Sequence, residues 1–100
     1  KKIMVEWSTA MELNNSHFVI EKYFTHSWDS IGSMKGRGTT YRTTLYSFWD
    51  NILLEGLNVY RVKQIDYDGQ FEYSKCFKAN YQSEMIENKF KNYNIIGQRK

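Results

Sequence analysis

The sequence predicts an all-β domain, an antiparallel sandwich of about six to seven short strands, and three observations carry that expectation. Residues 56–74, GLNVYRVKQIDYDGQFEYS, spell a complete hairpin. Tyr60 and Val62 alternate with Arg61 and Lys63, Asp68-Gly69 supplies a turn, and Phe71 and Tyr73 begin the return strand. Aromatic residues make up 17% of the chain, and large flat side chains suit a pleated surface better than a helix. There is no proline, so no strand is interrupted by a residue unable to donate to the ladder.

The other strands follow at fairly even spacing. Ile3, Val5 and Trp7 alternate with Met4, Glu6 and Ser8, which reads as a half-buried strand with Trp7 pointing inward. Asn14-Asn15-Ser16 breaks the pattern, and Phe18 and Ile20 resume it, with Glu21 and Lys22 near the far end. A short segment from Trp28 to Met34 is centred on Ile31 and closes in a flexible bend at Gly36 and Gly38. Leu45 to Trp49 is the next strand, with Tyr46 and Phe48 on one face, and Asp50-Asn51 stops it. The hairpin then adds strands over roughly 57–65 and 71–79.

Strands this short cannot bury both faces of a single sheet. The economical arrangement is two packed sheets of the immunoglobulin or fibronectin type III kind, with a closed barrel as the alternative. With 100 residues, 41% of them hydrophobic, one compact domain with its own core is expected. That domain spans 1–80, and 81–100 reads as a linker or an extra edge strand. Cys76 has no partner for an intrachain disulfide and reads as a small buried hydrophobe within a strand.

Charge distribution excludes one class of function. The net charge is +3, yet residues 3–83 hold eight Lys or Arg against nine Asp or Glu, so the basic excess is terminal. A folded basic face suited to phosphates is absent, and no nucleic-acid partner is expected. No apolar run is long enough to span a membrane. If the protein is exported, its signal lies outside these residues.

VEWSTAMELNN (5–15), FVIEKY (18–23), IGSMKGRG (31–38), YSFWD (46–50) and YRVKQIDYDGQFEYSK (60–75) occur in this order over Ile3 to Asn80. Together they resemble a fibronectin-like β-sandwich domain of secreted Bacteroidetes proteins, commonly placed before a C-terminal sorting domain of the type IX secretion pathway. The resemblance implies a secreted or cell-surface location and a non-catalytic accessory or spacer role beside neighbouring domains of a larger extracellular protein. The family carries one more strand ahead of the position of Ile3, so that strand is either missing here or replaced by the tail. YNIIGQR (93–99) is similar to a strand of the sorting domain, although the YPNP that usually opens that domain is missing, and this makes the tail a candidate sorting-domain remnant.

No motif names a reaction, and neither catalytic residues, a cofactor nor a metal is expected. Asp66-Tyr67-Asp68-Gly69 starts like a calcium loop but lacks the later ligands, so it reads as a turn. His17 and His26 are too isolated to form a metal set with one Cys, and no G-x-S-x-G elbow is present. Asn14-Asn15-Ser16 fits the N-glycosylation pattern, and Asp29-Ser30-Ile31 resembles an O-glycosylation triplet of Bacteroidetes. The alternative to a spacer is a module that binds a glycan or a protein. Trp28, Tyr41, Trp49 and Tyr67, near strand ends or loops, are the candidate stacking residues, and an open sheet edge is a second candidate surface.

Overall fold

Alternation of apolar and polar residues builds two sheets that face each other, an all-β sandwich. The computed structural model describes residues 1–83 in full and the backbone of 91–97. The strands are β1 (Ile3–Thr9), β2 (Glu12–Phe24), β3 (Ser27–Thr40), β4 (Thr44–Asp50), β5 (Gly56–Asp66), β6 (Phe71–Tyr73), β7 (Phe77–Tyr81) and β8 (Lys91–Gly97). One sheet has the order β4-β1-β8. The other runs β3-β2-β5-β6, with β7 pairing the same edge of β5 beyond β6. All pairings are antiparallel except β8, which lies parallel to β1 with Ile3 opposite Lys91 and Thr9 opposite Gly97. The tail thus contributes an edge strand to the smaller sheet. The likeness of 93–99 to a sorting-domain strand rests on side chains outside the described residues.

The core is where the alternation places it. Ile3, Val5 and Trp7 of β1, Phe18 and Ile20 of β2, Tyr46 of β4, Tyr60 and Val62 of β5 and Ala79 of β7 are buried. Trp7 stacks on Tyr46, its direct cross-strand partner, with ring centroids 5.5 Å apart. Both meet Phe18 of the opposite sheet, at 5.4 and 4.6 Å. Such aromatic pairs add about 0.5–1.5 kcal/mol each beyond the area they bury.

Four local expectations are corrected by the structure. Asn14-Asn15-Ser16 does not end a strand, because β2 runs through it as a bulge. Asn14 takes a left-handed φ of 53°, which Asn tolerates, and Asn15 is turned into the interior. Gly36 and Gly38 do not close a bend, because β3 continues to Thr40. A Cβ on Gly36 would lie 2.4 Å from Asn15 Nδ2, so the glycine is what lets β3 stay paired against the Asn15 side chain.

The return strand also splits. Val62 N–H donates to Ser74 Oγ at 2.8 Å, while Ser74 N–H donates to Val62 O at 2.7 Å. A side-chain oxygen thereby replaces a ladder carbonyl, and residues 74–76 leave the sheet before β7 begins. Cys76 falls in this break and is exposed, not buried. The hairpin turn itself is as expected: Gly69 N–H donates to Asp66 O at 2.9 Å, and Gly69 has a φ of +90°.

Candidate functional site

Chemistry requires charged or nucleophilic groups, and among the described residues these gather in three clusters. Two clusters are interior and one is on the surface.

At one end of the sandwich, β2 places Glu12 on the core side, fully buried. Its Oε2 accepts from the Thr9 hydroxyl at 2.8 Å and the Tyr46 hydroxyl at 2.5 Å. Its Oε1 accepts from Asn15 Nδ2 at 2.8 Å and the Arg37 backbone N–H at 2.9 Å. Thr9 and Tyr46 belong to the smaller sheet, while Asn15 and Arg37 belong to the larger, so one carboxylate ties the two together. Burial by itself raises the pKa of Glu12, but the hydrogen bonds from Tyr46, Asn15, Arg37 and Thr9 together outweigh it and hold the carboxyl below its ordinary 4.5. Tyr46 moves the other way. Burial, then the hydrogen bond to Glu12 and the charge of that carboxylate push its hydroxyl far above 10.0, against a smaller opposing effect of Arg37.

At the other end, β2 places Lys22 inward and β4 places Asp50 opposite it, with exposures of 0% and 3%. Lys22 Nζ donates to Asp50 Oδ2 at 2.6 Å and to the Ile52 carbonyl at 2.5 Å. The Tyr60 hydroxyl, from β5, also donates to Asp50 Oδ2, and the Ile52 N–H donates to Oδ1 at 3.0 Å. The ammonium lies 5.2 Å from the Tyr60 ring centroid and 5.6 Å from that of Phe24. A buried ion pair costs desolvation of both ions, so it is tolerated where extra hydrogen bonds complete each partner, as here.

The surface cluster crosses the outer face of the larger sheet. Arg61 of β5 lies between the rings of Trp28 and Tyr73, 4.1 and 3.9 Å from their centroids. Lys63 stands 4.1 Å over Phe71 and 5.7 Å from Tyr73. Aromatic rings and cations therefore alternate as Trp28, Arg61, Tyr73, Lys63 and Phe71. Tyr23 meets Trp28 edge-on at 5.3 Å, and Glu21 accepts from Arg61 Nε at 2.7 Å.

The four aromatic residues expected to stack on a ligand do not come together. Trp28 is half-buried and belongs to the surface row. Tyr41, 75% exposed, sits in the loop between β3 and β4, and Tyr67 sits in the β5–β6 turn at the Glu12 end of the sheet. Trp49 lies on the outer face of the other sheet beneath the Lys2 ammonium, 5.4 Å from its ring centroid. His17 is half-buried beside the Ser16 hydroxyl, and His26 is exposed. Among the described residues, no three His, Cys, Asp or Glu side chains gather in a way that could hold a metal ion.

Two of these clusters had signals in the sequence. Phe18, Ile20, Lys22 and Tyr46, Phe48, Asp50 place opposite charges on positions whose neighbours at i−2 and i−4 are core. The Tyr73 and Phe71 rungs follow from their alternation with Glu72, but their meeting with Trp28 depends on the order of four strands. Comparison of the chain with known protein families, with curated proteins and with solved structures finds no match in any of the three.

Proposed function

We propose that this chain is a non-catalytic accessory or spacer domain of a secreted or cell-surface multidomain protein, of the fibronectin type III-like kind it resembles in sequence. The observation that supports this reading is the use made of its buried charges. All four lone-pair positions of the Glu12 carboxylate are occupied by protein donors, which leaves none to take a proton from a substrate. Lys22 and Asp50 are likewise turned toward each other across the interior. Groups that could do chemistry join the sheets instead, and joined sheets make a stiff unit suited to holding neighbouring domains apart.

One observation favours a second reading, a glycan- or protein-binding module. The row from Trp28 to Phe71 is a continuous aromatic and cationic surface, and Phe71 and Tyr73 are about half exposed. Against it, Arg61 fills the space between the Trp28 and Tyr73 rings, where a sugar ring would stack. Titration of the domain against glycan and peptide arrays separates the two. A spacer gives no saturable binding. Saturable binding that is lost in Tyr73→Ala, with the fold retained, establishes the module.

A further inference from the structure

The Lys22 site holds more than an ion pair requires. We propose that Lys22 and Asp50 condense into an intramolecular amide, a covalent bond that joins β2 of one sheet to β4 of the other. This goes beyond the spacer reading and stands whatever the domain's role.

Each element of an acyl substitution is in place. The nucleophile is Lys22 Nζ, held 2.6 Å from Asp50 Oδ2, one bond away from the carboxyl carbon it would attack. A proton moving along that contact turns ammonium and carboxylate into amine and carboxylic acid, with no net charge created in an apolar interior. The Ile52 carbonyl accepts from Nζ at 2.5 Å and orients it. The Ile52 N–H, 3.0 Å from Asp50 Oδ1, stabilises the negative charge that develops there when nitrogen adds to the carbon. The Tyr60 hydroxyl donates to Oδ2, the oxygen that must leave.

The atoms balance without any co-reactant. The Nζ lone pair forms the bond to Cγ, and the Cγ–Oδ2 bond breaks. Two of the three ammonium protons pass to Oδ2, one along the 2.6 Å contact and the second after nitrogen has added to the carbon, while the Tyr60 hydroxyl keeps its own proton and polarises Oδ2 by donating to it. Oδ2 departs as water. Lys22 and Asp50 are held in contact by strands of opposite sheets, so the step is intramolecular and gains the large effective concentration that fixed geometry confers. Burial of both side chains keeps bulk water from reversing it.

Mass spectrometry of the intact chain, denatured after incubation at neutral pH, tests this. The expected mass is one water below that of the sequence. Trypsin then fails to cut after Lys22 and releases a branched peptide joining residues 3–35 to residues 43–61. Tyr60→Phe keeps the ring and should slow the loss of water by roughly a hundredfold. Lys22→Met should keep the full mass, and because only the mass is read, this control holds even if the variant folds poorly. Full mass in the wild-type chain after prolonged incubation, with normal cleavage after Lys22, overturns the proposal. Condensation in Tyr60→Phe at the wild-type rate overturns the role given to Tyr60.

Discussion

The Tyr46 hydroxyl of β4 donates to Glu12 Oε2 of β2 at 2.5 Å, so two residues 34 positions apart join opposite sheets through one short hydrogen bond. Replacing Glu12 by Gln removes the charge and turns one of the two acceptor atoms into a donor. Hydrogen bonds to a charged group contribute about 1.5–3 kcal/mol, so Glu12→Gln should lower unfolding free energy by about 2–4 kcal/mol in a urea titration.

The same carboxylate gives stability a pH dependence. Unfolded, Glu12 titrates near 4.5, and folded it titrates lower. The unfolded chain therefore binds more protons between those two values, and its stabilisation is fully present above 4.5 and lost as pH falls through the native value. Thermal melts from neutral to acid pH should show that loss in the wild type and a shallower one in Glu12→Gln.

At alkaline pH the burden passes to Tyr46, whose native pKa lies above the ordinary 10.0. Here the folded chain keeps a proton that the unfolded chain releases, so stability is full below 10.0 and falls as pH rises toward the native value. Tyr46→Phe should cost about 1–3 kcal/mol at pH 7 and remove this part of the alkaline loss, read from melts on either side of pH 10.

Two glycines separate steric need from conformational need. A Cβ at Gly36 meets Asn15, which is held by Glu12, whereas a Cβ at Gly69 meets nothing within 4 Å and is opposed only by a φ of +90°. Gly36→Val should destabilise by about 2–3 kcal/mol and Gly69→Val by about 1–2 kcal/mol in thermal melts.

Arg61 contacts two rings and Glu21. Arg61→Ala should lower stability by about 1–2 kcal/mol, most of it insensitive to salt because the ring contacts and the partly buried ion pair are both shielded from screening ions. Unfolding curves at low and high salt check this.

Much of the fold was legible from alternation. The alternation marks Trp7, Phe18, Ile20, Tyr46, Phe48, Tyr60 and Val62 as core, since each stands at i±2 from another apolar residue on the same strand; all are buried except Phe48, which is half-buried and packs against the rest. The hairpin turn was legible because Gly69 answers a local demand. What escaped were residues whose partners lie across the sandwich. Asn15 looked like a turn residue because its side chain finds Glu12 and Gly36 only after β3 has paired. Cys76 looked buried because the Ser74 hydroxyl that takes over a ladder position leaves no trace in periodicity. The Trp28–Arg61–Tyr73 row joins three strands through sheet order, which no single segment encodes.

Buried polar networks at both ends of the sandwich join the two sheets into one rigid unit, and native-state hydrogen exchange reads that coupling. The prediction is that the most protected amides of β1 and β4 exchange with the same free energy as those of β2 and β5, all through global unfolding. Exchange of β1 and β4 at a markedly lower free energy, while β2 and β5 stay protected, would contradict it.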